Sequence, residues 1–259
     1  TGVVSLSYQI TNGDQSVIAE LRLMITGSND APSVTADIGS TTESSTVTID
    51  VIANDPDVDN TDAELAITKI AGTLVSNGDW VNLSAGRVQL INGKLVFDTN
   101  GAFENLDDGD TLNVDFGYTL SDGSAETQGI VTITVTGQND APTLIFSRTQ
   151  ETADEDAGSF VVGSVAGTDV DADDMLNYAL LSQPSKGTVT DIDQTTGQFS
   201  FLLGDDFQYL AVSEQVTVSF DVLVTDSHAA TAAQTVSLTI TGVNDGPVLT
   251  AIDVEETLS

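Results

Sequence analysis

The sequence predicts an all-β protein built from tandem antiparallel β-sandwiches. Its 259 residues are rich in Thr, Val, Ser, Ile and Leu, and the β-branched residues among these favour strands. Three apolar runs, LRLMITG, IVTITVTG and VSLTITG, are each followed by an Asn-Asp pair and then by Pro. The chain is also too long for one small sandwich and suits two or more domains.

The Asn-Asp pairs divide the chain into repeats. They begin at Asn29, Asn139 and Asn244, which are 110 (139 − 29) and 105 (244 − 139) residues apart. This period fits a sandwich domain and is far too long for a solenoid. The ends are expected to be incomplete domains of a longer protein. The predicted division is the C-terminal part of a preceding repeat (1–32), two whole sandwich repeats (33–142 and 143–247) and the first strand of a following repeat (248–259).

The charge of the chain restricts its partners. Six Lys and Arg stand against 40 Asp and Glu, for a net charge of −34, so nucleic acid is excluded as a partner. The apolar fraction of 40% excludes a disordered acidic chain. There is no Cys for disulfides or thiolate metal sites. No apolar run reaches the roughly 18 residues of a membrane span, so no membrane insertion is expected.

Two acidic loops indicate a hard cation. The loops read DPDVDN at 55–60 and DVDAD at 169–173, with an acid at every second position. Clustered carboxylates repel one another unless a cation lies among them. Ca²⁺ accepts six to eight oxygens from carboxylates, amides and backbone carbonyls, whereas Mg²⁺ keeps more of its water. The sequence therefore predicts Ca²⁺ as the cofactor.

The loops are not EF-hands. The sixth position should be Gly and is Asn60 or Asp174, and the twelfth should be Glu and is Ala66 or Leu180. The glycine-rich calcium-binding nonapeptide of β-helices is also absent. A different geometry is needed to bring the acids together.

An immunoglobulin-like sandwich supplies that geometry, because its B–C and F–G loops meet at the end where the chain enters. The Asn-Asp linker of the preceding repeat arrives at the same end, and the Pro after it stiffens the entry. We therefore expect Ca²⁺ between consecutive repeats. A single Asn-Asp pair could be an ordinary turn or cap, but here it recurs three times. The expected ligands are Asn29, Asp30, Asp55, Asp57, Asp59 and Asp122 at the first junction; Asn139, Asp140, Asp169, Asp171, Asp173 and Asp226 with Glu43, Glu104 and Asp107 at the second; and Asn244 and Asp245 at the third.

The NDAP linkers, the run VIANDPDVDN and the LSDG turn before a Thr/Val strand resemble VCBS or cadherin-like tandem repeats of large bacterial RTX adhesins. The resemblance covers nearly the whole chain, although the third linker reads NDGP and residues 203–215 lack the acidic density of 104–110. It implies Ca²⁺-stiffened extender modules, exported by type I secretion, that project a ligand-binding region from the bacterial cell surface for attachment or biofilm formation. The partners implied are neighbouring repeats of the same chain, with a host or surface ligand bound elsewhere in the parent protein. The alternative is a sugar- or peptide-binding module of the same kind of adhesin.

No enzyme is predicted. The single histidine, His228, follows Asp226 and Ser227 in the F–G turn, and a Ser-His-Asp mechanism would need an oriented base inside a pocket. A histidine in a hairpin turn is more often solvent-exposed. Trp80 with Tyr8, Tyr118, Tyr178 and Tyr209 could supply a sugar-stacking face, although Tyr118 and Tyr178 lie inside strand patterns typical of a core. Trp80, in the NGDW turn, is the strongest candidate for an adhesive contact.

Overall fold

The structure, a computed structural model, describes residues 2–148, 152–157 and 161–247. It is 52% strand and 3% helical, which confirms the all-β prediction. The chain divides into two compact units. Unit 1 contains the chain up to Phe103 and Thr111–Thr136, and unit 2 contains Glu104–Asp110 and the chain from Gly137. The expected strand at 248–259 lies outside the described residues.

Unit 1 holds a sandwich of two sheets. The larger sheet has the strand order β3-β11-β10-β5-β6, and the smaller has the order β4-β9-β8-β7, for strands β3 (Asp37–Thr42), β4 (Thr46–Ile49), β5 (Ala66–Ile70), β6 (Thr73–Leu74), β7 (Trp80–Asn82), β8 (Arg87–Ile91), β9 (Lys94–Asp98), β10 (Thr111–Ser121) and β11 (Glu126–Thr136). Alternate residues point inward, and Leu95, Phe97, Leu120 and Ile133 are fully buried. Two short 3-10 turns, Val51–Asn54 and Asp62–Glu64, flank the acidic loop between β4 and β5.

Unit 2 repeats this plan. Its sheets have the orders β12-β14-β17-β16 and β13-β19-β18-β15, for strands β12 (Thr143–Arg148), β13 (Thr152–Asp154), β14 (Val161–Thr168), β15 (Asn177–Leu180), β16 (Thr188–Ile192), β17 (Gln198–Leu202), β18 (Gln215–Thr225) and β19 (Thr231–Thr241). Phe199 and Phe220 meet edge to face in the core, with ring centroids 5.2 Å apart. The limits 33–142 and 143–247 of the repeats stay predictions.

Among the described strands, each sandwich contains one parallel pair within an otherwise antiparallel fold. β3 runs parallel to β11 in unit 1, and β13 runs parallel to β19 in unit 2. The reason is topological. The first strand starts where the chain enters the sandwich, and the last strand ends where the chain leaves at the opposite end. Both strands therefore cross the sandwich in the same direction.

A separate hairpin precedes the sandwich of unit 1. Its strands, β1 (Gly2–Asn12) and β2 (Gln15–Ile25), pair with Leu6 opposite Leu21. The hairpin β10–β11 has the same register, with Phe116 opposite Val131, 110 residues further on. The hairpin positions that correspond to the core of unit 1 are exposed, namely Val4, Leu6, Tyr8, Ile10, Leu21, Leu23 and Ile25. The assignment of residues 1–32 to a preceding repeat stays a prediction.

Candidate metal centre

In unit 1, the linker residues Asn29 and Asp30 form hydrogen bonds with two loops. The Asn29 side-chain amide donates hydrogen bonds to Oδ2 of Asp122 and to the carbonyl of Asp30, both at 2.8 Å. The backbone N–H of Asp30 donates to Oδ2 of Asp59 at 2.8 Å. The linker, the loop between β4 and β5, and the turn between β10 and β11 therefore meet, as the sandwich topology predicted.

The two loops of unit 1 are shaped by their own acids. Oδ1 of Asp57 accepts the N–H groups of Asp59 and Asn60 at 2.7 and 2.9 Å, which folds the loop as an Asx turn. The other oxygen of Asp57 is buried and accepts no hydrogen bond from any described residue. The pKa of Asp122 is lowered by the Asn29 amide and then by the backbone N–H groups that its carboxylate accepts. The Asp122 carboxylate is therefore held in place in its ionised form.

Unit 2 repeats the arrangement. The Asn139 amide donates to Oδ2 of Asp226 at 3.1 Å and to the carbonyl of Asp140 at 2.8 Å. The backbone N–H of Asp140 donates to Oδ2 of Asp171 at 2.8 Å. The other oxygen of Asp226 accepts N–H groups of its own turn, from His228 and Ala230. The same three pieces of chain are joined by the same kinds of bond in both units.

Unit 2 also buries oxygens that have no donor. Asp169, Asp171 and Asp174 each offer a carboxylate oxygen, and these atoms lie within 4.8 Å of one another. Burial raises the pKa of Asp171. The hydrogen bond from the Asp140 N–H lowers this pKa, but the nearby charges of Asp169, Asp140 and Asp174 raise it again, and the net pKa is raised. Buried charges without a partner are costly. Beside Glu155 Oε2, the buried oxygens of unit 2 that accept no hydrogen bond from the described residues are Asn139 Oδ1, Asp140 Oδ2, Asp169 Oδ2, Asp171 Oδ1 and both carboxylate oxygens of Asp174.

This donor set fits Ca²⁺. It consists only of carboxylate and amide oxygens, which are the ligands of a hard cation, and it contains enough of them for six or more contacts. A bound cation would remove the mutual repulsion of the carboxylates. The fit is weaker in unit 1, where Asn29, Asp30 and Asp59 are exposed.

The hydrogen bonds show which residues of the two acidic loops are equivalent, and this alignment differs from the one that the sequence suggested. Asp59 and Asp171 both accept the linker N–H, so Asp57 corresponds to Asp169. The two DxDxD runs are thus offset by two residues from their apparent alignment. Asp55 then corresponds to Gly167.

Asp55, an expected ligand, is engaged inside the sandwich of unit 1. Its Oδ1 accepts the N–H of Thr35 at 2.8 Å, and its Oδ2 accepts the Tyr118 hydroxyl at 2.5 Å. The same hydroxyl lies 3.0 Å from Oδ2 of Asp37. Burial raises the pKa of Tyr118, and the two carboxylates raise it further. In unit 2 the N–H of Gly167 instead donates to the Tyr178 hydroxyl at 2.7 Å.

Asp173 and Asp174 exchange the roles that the sequence suggested. Asp173 was expected among the ligands but is exposed. Asp174 was not assigned, yet its side chain is fully buried beside Asp169 and Asp171. The alternation of side chains holds only in extended chain, and the loop turns at 172–173.

Two glutamates occupy matching places after the first strands. The N–H of Glu43 donates to the carbonyl of Thr136 beyond β3, and the N–H of Glu155 donates to the carbonyl of Thr241 beyond β13, both at 3.0 Å. Both side chains are buried. Glu155 was missed by the sequence analysis, although aligning it with Glu43 would have found it. Its Oε1 accepts the N–H of Val243 beside the third linker at 2.9 Å.

The remaining predicted ligands lie in unit 2. Glu104 and Asp107 are half-buried in the segment that follows Phe103. The Asp107 carboxylate accepts the N–H of Asp108 at 2.7 Å. Asn244 and Asp245 are exposed, and the Asn244 amide donates to the Asp245 carbonyl at 3.2 Å, as in the other two linkers.

The strand order and the paired linkers define a chain of cadherin-like, immunoglobulin-like domains. The sequence profile described as Bacterial Ig domain matches residues 29–136 and 139–239, and the chain belongs to this family. Domains of this type are of the adhesion class and are typically non-enzymatic. No curated protein sequence matches the chain.

Solved structures support the fold. The EC1-4 fragment of PcdhgB3 is 15% identical to this chain and covers 94% of it with a TM-score of 0.56; the chain spans 57% of that fragment. The Protocadherin GammaB4 extracellular domain is 17% identical and covers 92% with a TM-score of 0.53; the chain spans 37% of it. At these identities the likeness shows a shared fold. Among the described residues, no helix is long and apolar enough to cross a membrane.

Proposed function

We propose that this chain consists of Ca²⁺-stiffened extender modules of a bacterial cell-surface adhesin. The observation that carries the proposal is the repeated bonding of linker to loops. In each unit an Asn amide of the linker donates to the acid of one turn, and an Asp N–H of the linker donates to the acid of a loop. The recurrence of this bonding at two linkers 110 residues apart supports a role beyond the folding of one domain.

The proposed calcium ligands in unit 2 come from separate pieces of chain. Asn139 and Asp140 belong to the linker, whereas Asp169, Asp171 and Asp174 belong to the loop after β14. A cation that contacts both pieces fixes the linker against the sandwich. Without it, the net charge of −34 favours separation of the acidic segments. The physical role of Ca²⁺ here is therefore to limit how freely consecutive repeats move.

The biological setting is part of the same proposal. The membership in the Bacterial Ig domain family supports an adhesin, and the resemblance to VCBS repeats supports an RTX adhesin exported by type I secretion. We place the chain outside the cell, at the bacterial surface, with neighbouring repeats as its partners. Its role would be to hold a ligand-binding region at a distance for attachment or biofilm formation.

A second candidate function is direct ligand binding at Trp80. Its ring is 42% exposed, and the Arg87 guanidinium lies over it, 4.2 Å from the ring centroid. Arg87 is held by Asp98 at 2.7 Å, so the stacked pair is preorganised. Such a face suits a sugar or peptide. Replacing Trp80 by Ala and probing immobilised glycans would test this role without affecting the linkers.

Small-angle scattering with either 2 mM CaCl₂ or EDTA tests the extender role. We expect a larger maximum dimension and a narrower distribution of distances with Ca²⁺, and a stoichiometry of one or more ions by calorimetry. The same maximum dimension and no calcium binding in calorimetry would overturn the proposal. Calcium binding without a change in dimension would leave calcium-stabilised domains but refute stiffening.

A further inference from the structure

His228 lies among carboxylates in unit 2. Its Nδ1 is 3.4 Å from Oδ1 of Asp107 and 3.4 Å from Oδ1 of Asp174. The three side chains offer ligand atoms within 4.8 Å of one another. The imidazole is 36% exposed, so an ion can reach it from solvent. The backbone N–H of His228 donates to Oδ1 of Asp226 at 2.9 Å, which fixes the backbone of the turn that carries the ring.

Asp174 gives an independent indication of a ligand. Its side chain is completely buried; Nδ1 of His228 approaches Oδ1 at 3.4 Å, beyond the usual hydrogen-bond length, and Oδ2 accepts no hydrogen bond from any residue that the structure describes. A buried carboxylate without donors is costly unless a cation compensates it. One of its oxygens faces the nitrogen of His228. The group is therefore oriented to share an ion with the imidazole.

We propose that Asp107, Asp174 and His228 form a second metal site, selective for a transition cation such as Zn²⁺. Zn²⁺ is bound by imidazole nitrogen and carboxylate oxygen, often with three protein ligands and one water. Ca²⁺ takes oxygen ligands and does not need the nitrogen. The site goes beyond the proposed calcium role, and the two sites share Asp174.

The distances agree with a zinc centre. Two donor atoms 3.4 Å apart, each about 2.0–2.1 Å from one ion, subtend an angle of about 110° at that ion. This angle is close to tetrahedral, and it applies to both the Asp107 and the Asp174 contact.

The competing arrangement is an imidazolium ion without a metal. Burial lowers the pKa of His228, but the charges of Asp107 and Asp174 raise it more, so the net pKa is raised. An imidazolium would satisfy the same carboxylates by charge alone. The two arrangements differ in what added Zn²⁺ does to the ring nitrogens.

NMR of the single histidine tests the proposal directly, because no other imidazole contributes signals. The full chain is labelled with ¹⁵N and titrated with ZnCl₂ at pH 7 with 2 mM CaCl₂ present. We expect saturable shifts of the imidazole nitrogens at about one equivalent of Zn²⁺. Unperturbed imidazole signals at saturating Zn²⁺ would overturn the site and leave the imidazolium pair.

Calorimetry on variants separates this site from the calcium site. His228→Gln should weaken Zn²⁺ binding at least tenfold and leave Ca²⁺ affinity within twofold. Asp171→Ala should do the reverse, and Asp174→Asn should weaken both. Asp173→Ala, on an exposed acid of the same loop, is the matched control. Thermal melts confirm that each variant folds, and Zn²⁺ affinity unchanged in a folded His228→Gln protein would overturn the proposal.

Discussion

The backbone N–H of Asp140 donates a hydrogen bond of 2.8 Å to Oδ2 of Asp171, while Oδ1 of Asp171 is buried and accepts none from the described residues. Asp30 and Asp59 form the same bond at the same distance in unit 1. The hydrogen bond positions the carboxylate and leaves one oxygen for another ligand. Asp171 is therefore the residue on which the calcium proposal depends most directly.

Asp171→Ala should weaken Ca²⁺ binding at least tenfold. The variant removes one ligand oxygen and frees the Asp140 N–H, whose hydrogen bond contributes about 1 kcal/mol. Unit 2 should remain folded because the loop lies outside the core formed by Phe199, Phe201 and Phe220. Titration calorimetry measures the effect, with Asp173→Ala as the control. Unchanged stoichiometry and affinity would show that Asp171 is not a ligand.

Removal of Ca²⁺ should lower thermal stability and expose the linkers to proteases. An ion that binds only the folded form stabilises it by about 2.7 kcal/mol at 100 times its Kd. For domains of this size that corresponds to a rise in Tm of several degrees. Calorimetric melts and limited proteolysis with EDTA or CaCl₂ compare the two states. High NaCl should substitute only partly, since it screens charges but supplies no ligand geometry. Equal melts and equal cleavage at 138–142 would argue for a merely solvated acidic surface.

Gly129→Ala should destabilise unit 1 by about 2 kcal/mol, which is typical of overpacking. A Cβ atom at Gly129 would lie 2.3–2.5 Å from the ring and hydroxyl of Tyr118, and this ring is buried against Asp55. The ring cannot move aside without breaking that hydrogen bond. Gly117→Ala is the matched control on the facing strand, because its Cβ would meet only a backbone oxygen at 3.6 Å. Urea unfolding measures both variants, and equal midpoints would contradict the packing argument.

Asp37→Asn should stabilise unit 1 near neutral pH and lose this advantage in acid. Burial raises the pKa of Asp37, and the charge of Asp55 raises it further. Hydrogen bonds from Tyr118 and Asn54 lower it, but the net pKa is raised. A folded-state pKa above the unfolded value means that Asp37 favours folding most below the unfolded pKa of about 3.9. That contribution is lost as the pH rises through the folded pKa. The difference in Tm between variant and wild type should therefore grow from pH 3.5 to pH 7. A constant difference would show that the carboxyl ionises equally in both states.

The sequence by itself determined the all-β class and the repeated linkers. These features are local, because strand patterns depend on neighbouring residues and the Asn-Asp pairs recur at a fixed spacing. The assignments of Asn29, Asp30, Asn139 and Asp140 to positions beside the acidic loops followed from sandwich topology alone. In unit 1 the linker pair contacts Asp122 and Asp59, and in unit 2 the corresponding pair contacts Asp226 and Asp171.

The tertiary structure decided which acids face the linkers. Asp55 follows the same alternation as Asp57 but turns inward to Tyr118, because a buried hydroxyl there needs an acceptor. Asp174 replaces Asp173 because the chain turns between them and the period of two fails outside extended strands. The contact between His228 and Asp107 depends on the segment Glu104–Asp110, which lies between β9 and β10 in the sequence but belongs to unit 2. Aspartates of the same acidic loop thus acquire different roles. Their burial and their nearest hydrogen-bond donor depend on contacts between residues far apart in the chain.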